Sequence, residues 1–348
     1  MRRIPSRRET PQPQHDGPSE RPGPPHSRSG RDPRKPGWGG GKGSDSCVQS
    51  SVGTDSRRGL WQSGGQGRYT VGVPEIHPTA IVDDQVELAE DVVVGPRCTL
   101  SGPITIGQGT RLLGDCWITG LTRISSGNTI YPYTTIGFAP QSRSVGTEHS
   151  GPGVLIGKDN VIREHVTINR ALTDNGPTTI GDNNYIMAQA HAGHDVQVGN
   201  NVTLANSVQL AGHTIVEDEV TIGGGTCIHQ YVRLGHGSML AGGCATTRDV
   251  LPWFVVTAYN VAASVNLVGM RRQGLTADEI ANVRWVFKTI NRRGLSIPSA
   301  IEEIRHRAEE SSDHVLHRIT EFLDRSERPI CTAFQKRSRT GYDVRSTT

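Results

Sequence analysis

The sequence predicts a parallel β-helix of hexapeptide repeats closed by a small C-terminal helical domain. Three observations predict it. An aliphatic residue recurs at nearly every sixth position from Ile76 to Leu240, a small or β-branched residue often follows four places later, and after Thr246 the rhythm gives way to helical spacing. A period of six belongs neither to an α-helix nor to an ordinary strand. It suits a short strand plus a corner, so three units make a triangular coil of eighteen residues with the aliphatic side chains filling the prism.

Residues 1–70 come first and carry 13 Lys/Arg against 6 Asp/Glu, with Pro, Gly and Ser abundant and aliphatics scarce. Such a segment buries too little apolar surface to fold alone and is expected to be a disordered basic tail. Weak aromatic interleaving and the lack of a binding fold argue against nucleic acid. The arginines near the N-terminus have no apolar stretch behind them, which argues against secretion. An alternative expectation places the true start near Val71 or Val73. No apolar run approaches the roughly 18 residues that span a bilayer, so no integral membrane segment is expected. The six cysteines show no zinc or disulfide spacing and read as thiols of a reducing, cytoplasmic setting. Cys98 and Cys116, eighteen residues apart, are expected to stack in adjacent coils.

The β-helix is expected over residues 74–257. Its aliphatic row runs from Ile76 to Ile136, resumes from Ile156 to Ile168, and continues from Ile180 to Leu240. The residues four places on, such as Cys98, Thr110, Cys116, Thr134, Val202 and Val220, are expected near inner corners. Glycines directly after the aliphatic, such as Gly95, Gly107, Gly199 and Gly223, are expected where the chain turns with positive φ. Two interruptions predict excursions from the coil. Ile136 to Ile156 reads as a loop two residues longer than eighteen, and Ile168 to Ile180 skips one hexad around Asp174–Pro177.

A helical domain is expected over 258–334, reached through an irregular or extended stretch, Pro252–Asn266, and followed by a disordered tail at 335–348. Thr276-Ala-Asp-Glu279 reads as a capping box ahead of Ile280, Val283, Phe287 and Ile290. Ser299-Ala-Ile-Glu302 reads as a second cap, and Leu316, Ile319 and Leu323 mark a further amphipathic helix. Arg284, Lys288 and Arg292, with Arg271 and Arg272 before them, form a basic stripe that reads either as a solvated face or as a dock for an acidic partner.

The histidines concentrate in the repeats: His191 and His194 in AHAGHD, His213 in LAGH, His229 in IHQY. With eighteen residues per coil, Gly212 lies one coil above His194, His213 one above Asp195, and Gln230 two above His194. Ala192 takes the place of the interior aliphatic there. An imidazole titrating near neutrality suits a general base for a hydroxyl or amine, and a glycine N–H one coil away suits a developing oxyanion. Asp195 supports His194 only if the corner bends it round, because neighbours on a strand face opposite ways. Base and donor together form an acyl-transfer arrangement. The alternatives are a polar histidine ladder and a zinc site. Glycine and glutamine at the stacked positions argue against zinc, so neither metal nor cofactor is expected.

In this order, the hexads, AHAGHD, LAGH, IHQY, AGGC, Asp249–Pro252, Asn266 and Arg271-Arg272 resemble the UDP-N-acetylglucosamine O-acyltransferases of lipid A biosynthesis, from about Pro74 to Phe334. The resemblance implies a left-handed β-helix, a homotrimer with sites between subunits, and a 3-hydroxyacyl donor on acyl carrier protein. It further implies His194 as general base, Asp195 as its carboxylate and Gly212 as oxyanion donor. Gln141 would fall in the acceptor loop, and His191, His213, His229 and Gln230 would line the sugar and donor channel. Asn266 and Arg272 would sit at the nucleotide, and Gly242 or Gly243 would set acyl-chain length. Departures fall on the acceptor side: Pro140-Gln141-Ser142-Arg143-Ser144 lacks an expected Asp and Lys, Val268 stands for a Glu, and Gln273 for an Arg. Two further readings stay open. One is an N-acyltransferase of the same pathway, although residues 1–70 show no pattern for the extra domain such enzymes carry. The other is a trimeric scaffold without turnover.

Overall fold

A computed structural model of the chain describes residues 73–146, 149–292 and 294–333. The tails expected at 1–70 and 335–348 lie outside them. The described residues form a parallel β-solenoid whose three faces hold eleven, nine and eight strands. Strands are short, mostly two or three residues. The first sheet starts at Glu75–Ile76, the second at Ile81–Val82 and the third at Val86–Leu88. The eighteen-residue register is direct: Ile76 pairs with Val94, and Val94 with Leu112.

The aliphatic row points inward as expected. Leu100, Ile118, Ile136, Ile168, Leu210 and Leu240 are at most 1% exposed, and Ile76 is exposed because it lies in the first coil. Burial of this row, at about 1.5–3 kcal/mol for each large side chain, drives the stacking. Cys98, Thr110, Cys116, Thr134, Val202 and Val220 are buried beside it. Cys98 and Cys116 lie in adjacent coils as free thiols, and Thr99 N donates to Cys116 O at 2.8 Å.

The turns differ from the expectation. Positive φ falls on the third residue after most of the aliphatics, as at Asp91, Arg97, Asn183, Asp195 and His213, while glycines that directly follow, such as Gly95, Gly107, Gly199 and Gly223, do not have it, Gly137 being the exception at φ +83°. The glycines without it are required by coil-to-coil contact instead. A Cβ on Gly95 would stand 2.7 Å from Leu112 O, and one on Gly107 2.8 Å from the Ser125 carbonyl carbon. Residues such as Asp and Asn tolerate the left-handed corner, so polar side chains project from the edges of the prism.

The first excursion is also larger than expected. Ile124, Ile130 and Ile136 pair with Ile156, Ile162 and Ile168, thirty-two residues on, so fourteen residues leave the coil. Ile136 and Ile156 occupy successive faces, not stacked positions, which is why counting between them hid most of the loop. The second excursion adds six residues, since Ile168 pairs with Ala192, as one skipped hexad requires.

An asparagine ladder joins the coils between which the chain departs. Asn128 Oδ1 accepts from Asn160 N and Nδ2, both at 3.0 Å, Asn160 Oδ1 from Asn184 N at 2.8 Å, and Asn184 Oδ1 from Val202 N at 2.7 Å. All three asparagines are at most 2% exposed.

Beyond Thr246 the expected irregular or extended stretch is a hairpin. Phe254–Ala258 adds to the first sheet parallel to Met239–Leu240, and Val261–Val265 returns antiparallel to it. Among the described residues four helices follow. α1 (Leu267–Arg272) was not expected and is capped by Asn266. α2 (Ala277–Ile290) carries both bonds of the Thr276–Glu279 capping box. α3 (Ile297–Glu309) is capped by Ser296, three residues before the expected position, with Ser299 supplying the N–H it holds. α4 (His314–Asp324) buries Leu316, Ile319 and Leu323 as expected.

Replacing Asn160 by Ala strands the Asn184 N–H and removes the Nδ2 donor from Asn128, whose Oδ1 keeps only the backbone N–H of position 160. It is expected to lower unfolding free energy by about 2–4 kcal/mol, measured by urea denaturation.

Candidate active site

The site lies along the edge where the second sheet passes into the third. His191–Ala192 is the last strand of the second sheet before that corner, and Gln197–Val198 follows in the third. Ala192 faces inward between Ile168 and Leu210, so His191 faces out, where its Nδ1 lies 2.7 Å from Thr167 Oγ1. Asp195 takes φ +59°. This left-handed corner turns its carboxylate back, and Asp195 Oδ2 lies 2.7 Å from His194 Nδ1.

The second excursion holds that carboxylate from the other side. Leu172 N donates to Oδ2 at 3.0 Å, and Thr173 N and Oγ1 donate to Oδ1 at 3.0 and 2.6 Å. Asp195 N donates to Thr178 Oγ1 at 2.9 Å. Burial opposes charge on Asp195, but the hydrogen bonds from Thr173, His194 and Leu172 outweigh it and hold the carboxyl below the ordinary carboxylate value. A charged Asp195 only accepts, so the shared proton sits on His194 Nδ1 and the lone pair of the neutral ring on Nε2.

Gly212 covers that end of the imidazole. A Cβ at 212 would stand 2.5 Å from His194 Cε1 and 2.6 Å from Nε2, so only glycine fits beside the ring. The Gly212 N–H has no hydrogen-bond acceptor among the described residues. One coil above Asp195, His213 meets the His194 ring edge-on at 5.0 Å and stacks on Tyr231 at 4.4 Å. Burial lowers the His213 pKa, with nearby His194 adding to the shift and Asp195 opposing it. Burial and then His194 likewise lower that of His191.

These groups border a cavity of about 460 Å³, lined among others by Gln141, His191, His194, Gly212, His229 and Gln230. Asp195 sits behind His194 and His213 beside it. His229 Nδ1 donates to Gln230 O at 3.2 Å. The first excursion brings Gln141 into the cavity, its root held by Asn169 Nδ2, which donates to Ala139 O at 2.7 Å. Ligating atoms of His194, Asp195 and His213 fall within 4.8 Å of one another, but the Asp195 oxygens already accept hydrogen bonds from His194, Thr173 and Leu172.

The other expected residues lie on other edges. Asn266 Oδ1 accepts from Gly269 N and its Nδ2 donates to Gly237 O, each at 2.9 Å, at the corner between the third and first sheets. Arg272 is exposed in the last turn of α1. Gly242 and Gly243 lie between the first and second sheets; a Cβ on Gly243 would meet open space, and one on Gly242 would stand 3.2 Å from Gly224 O. Gln273 accepts from Trp253 Nε1 at 2.9 Å, and Val268 is exposed. Thr167, Thr173 and Thr178 were not anticipated; the only trace of the last two was the skipped hexad that carries them.

Residues 177–212 match the bacterial transferase hexapeptide model of six repeats, and residues 249–331 match the second domain of UDP-N-acetylglucosamine O-acyltransferase. An acyl-[acyl-carrier-protein]–UDP-N-acetylglucosamine O-acyltransferase of Thermodesulfovibrio yellowstonii is 39% identical over 259 residues, covering 74% of this chain and 99% of that protein. The chain belongs to the UDP-N-acetylglucosamine O-acyltransferase family. A relative of the same description from Janthinobacterium sp. is 39% identical over 261 residues, covering 73% of this chain and 98% of its own. Among solved members of the family, the Francisella novicida acyltransferase superposes with a TM-score of 0.71 at 32% identity, over 74% of this chain and 94% of that one. The Arabidopsis enzyme superposes with a TM-score of 0.64 at 27% identity, over 74% and 100%. The expected β-helix and helical C-terminus are thus those of this family.

Replacing Thr173 by Val removes the 2.6 Å donor to Asp195. The stability carried by ionised Asp195 is present above the unfolded carboxyl pKa, about 3.9, and is lost as pH falls through the lower folded value. The variant is therefore expected to lose less unfolding free energy than the wild type between about pH 7 and pH 2, as measured by denaturant titrations at both pH values.

Proposed function

We propose that the chain moves a 3-hydroxyacyl group from acyl carrier protein to the 3-hydroxyl of UDP-N-acetylglucosamine or a related UDP-sugar, the first step of lipid A biosynthesis, with His194 as general base. The observation that carries this reading is the imidazole held by Asp195 at Nδ1, with Nε2 at the cavity beside Gly212. The acyl carrier protein and UDP-N-acetylglucosamine in the relatives' names supply the substrates.

His194 Nε2 takes the proton of the sugar hydroxyl as its oxygen attacks the thioester carbonyl. Negative charge then gathers on the former carbonyl oxygen, where the Gly212 N–H is the nearest candidate donor. Collapse breaks the carbon–sulfur bond, and the imidazolium returns its proton to the departing thiolate, so the base is regenerated. Asp195 keeps the ring in the required tautomer and stabilises its charged form.

Gln141, His191, His229 and Gln230 border the cavity and line the sugar and donor path, with His213 supporting His194 from the side. Within one chain Asn266 and Arg272 belong to another prism edge, so a nucleotide role for them requires a neighbouring subunit's edge, as a homotrimer supplies. Exposed Arg271, Arg272, Arg284 and Lys288 offer a basic face to the acidic carrier protein, while Arg292 is paired with Glu303. Gly242 or Gly243 limits the acyl chain. In the acceptor loop Ser142 and Ser144 bond to each other at 2.7 Å, where the family pattern has charges for the sugar phosphates. Carrier-protein and nucleotide-sugar substrates support a cytoplasmic reaction.

Transfer from 3-hydroxyacyl carrier protein should be assayed against UDP-N-acetylglucosamine and its 3-amino counterpart. The wild type is expected to favour the hydroxyl acceptor. His194→Ala is expected to lose about 10³-fold in kcat, and Gly212→Ala about 10²-fold. Undiminished transfer by His194→Ala removes the base assignment. Preference for the amine selects the N-acyltransferase, and no transfer to either sugar selects the scaffold. Gly243→Met is expected to shift donor preference to shorter chains, read by competition between donors.

A further inference from the structure

The two excursions are tied together beside the base. Ala171 N and Thr178 N, from the second, both donate to Gly153 O of the first, at 3.2 and 3.1 Å. His149 Nε2, also in the first, lies 2.9 Å from Leu172 O. A carbonyl oxygen can only accept, so His149 Nε2 carries the hydrogen.

That carbonyl belongs to the Leu172–Thr173 peptide unit, and the N–H of the same unit donates to Asp195 Oδ1 at 3.0 Å. A hydrogen bond to a peptide carbonyl polarises the amide and strengthens the bond its N–H makes. The links are therefore continuous: His149 to the Leu172 carbonyl, across the peptide to the Thr173 N–H, to Asp195 Oδ1, and from Asp195 Oδ2 to His194 Nδ1. At its outer end this series begins in the excursion that also carries Gln141 into the cavity.

We propose that His149 is a positioning residue for the catalytic pair: it orients and polarises the Leu172–Thr173 peptide, which fixes Asp195 and through it His194, and so couples the seating of the acceptor loop to the base. The inference rests on His194 acting as base. His149 touches neither substrate nor reacting atoms in this account, and its effect falls on turnover, not on donor binding.

The test uses the full chain and the transfer assay above, with His149→Leu, which removes the donor, and His149→Gln, whose Nε2 restores one at similar reach. His149→Leu is expected to lower kcat about tenfold, the equivalent of one hydrogen bond, with KM for the acyl carrier protein unchanged within about twofold. His149→Gln is expected to recover most of that loss. Wild-type kcat in His149→Leu overturns the proposal, as does a His149→Gln enzyme as slow as His149→Leu, which marks a packing role only. His194→Ala in the same series separates the two ideas. If it keeps wild-type turnover the base assignment fails; if it is inactive while His149→Leu is not impaired, only the present inference fails.

Discussion

The closeness of successive coils is the constraint on which the rest of this molecule depends. Parallel strands pair at about 4.8 Å, and the inward aliphatic row holds every coil to that spacing. Residues eighteen apart in sequence are therefore forced into contact, whatever their chemistry. The same closeness demands glycine at 95 and 107, where a side chain would strike the next coil, and at 212, where it would strike an imidazole. The architectural glycines and the one beside His194 thus answer to a single rule.

The cavity is lined by residues of successive coils, and the interruptions add to it from outside. The first excursion brings Gln141 over the outer face, and the second turns three donors onto Asp195. The second arises beside the strand that bears His191 and the first one strand further along the same sheet, and the asparagine ladder keeps the coils in register where the chain departs. A carboxylate so fully bonded remains charged in a largely buried place, which fixes the proton on His194 Nδ1. The tautomer of His194 is thus set by the loop opposite it as much as by the residue that follows it.

Much of this was legible in the sequence, for reasons that also explain the failures. Periodicity reports what repeats, so the inward row, the buried Cys98 and Cys116, and the column of His194, Gly212 and Gln230 could be read by counting. The Thr276 capping box and the buried face of α4 were local patterns of the same kind. Excursions do not repeat: the fourteen residues before Ile156 passed for two because Ile136 and Ile156 sit on different faces, and Thr173 bore no mark of its hold on Asp195. The positive-φ corners were misassigned to glycine because Asp, Asn and His accept that conformation when neighbouring coils fix it. Ser296, not Ser299, caps α3, since a shift of three residues leaves the polar pattern almost unchanged. Counting also could not show that Asn266 and Arg272 stand on a different edge from His194.

In the proposed reaction Asp195, held by the second excursion, keeps His194 in the state that performs acyl transfer. The most direct measurement is single-turnover transfer from 3-hydroxyacyl carrier protein to UDP-N-acetylglucosamine by Asp195→Asn, with its unfolding midpoint recorded beside the wild type. The variant is expected to fold, with a chemical step slower by about 10²-fold or more, because a neutral amide stabilises the imidazolium poorly. A folded Asp195→Asn protein that transfers the acyl group at the wild-type rate would contradict this role of Asp195.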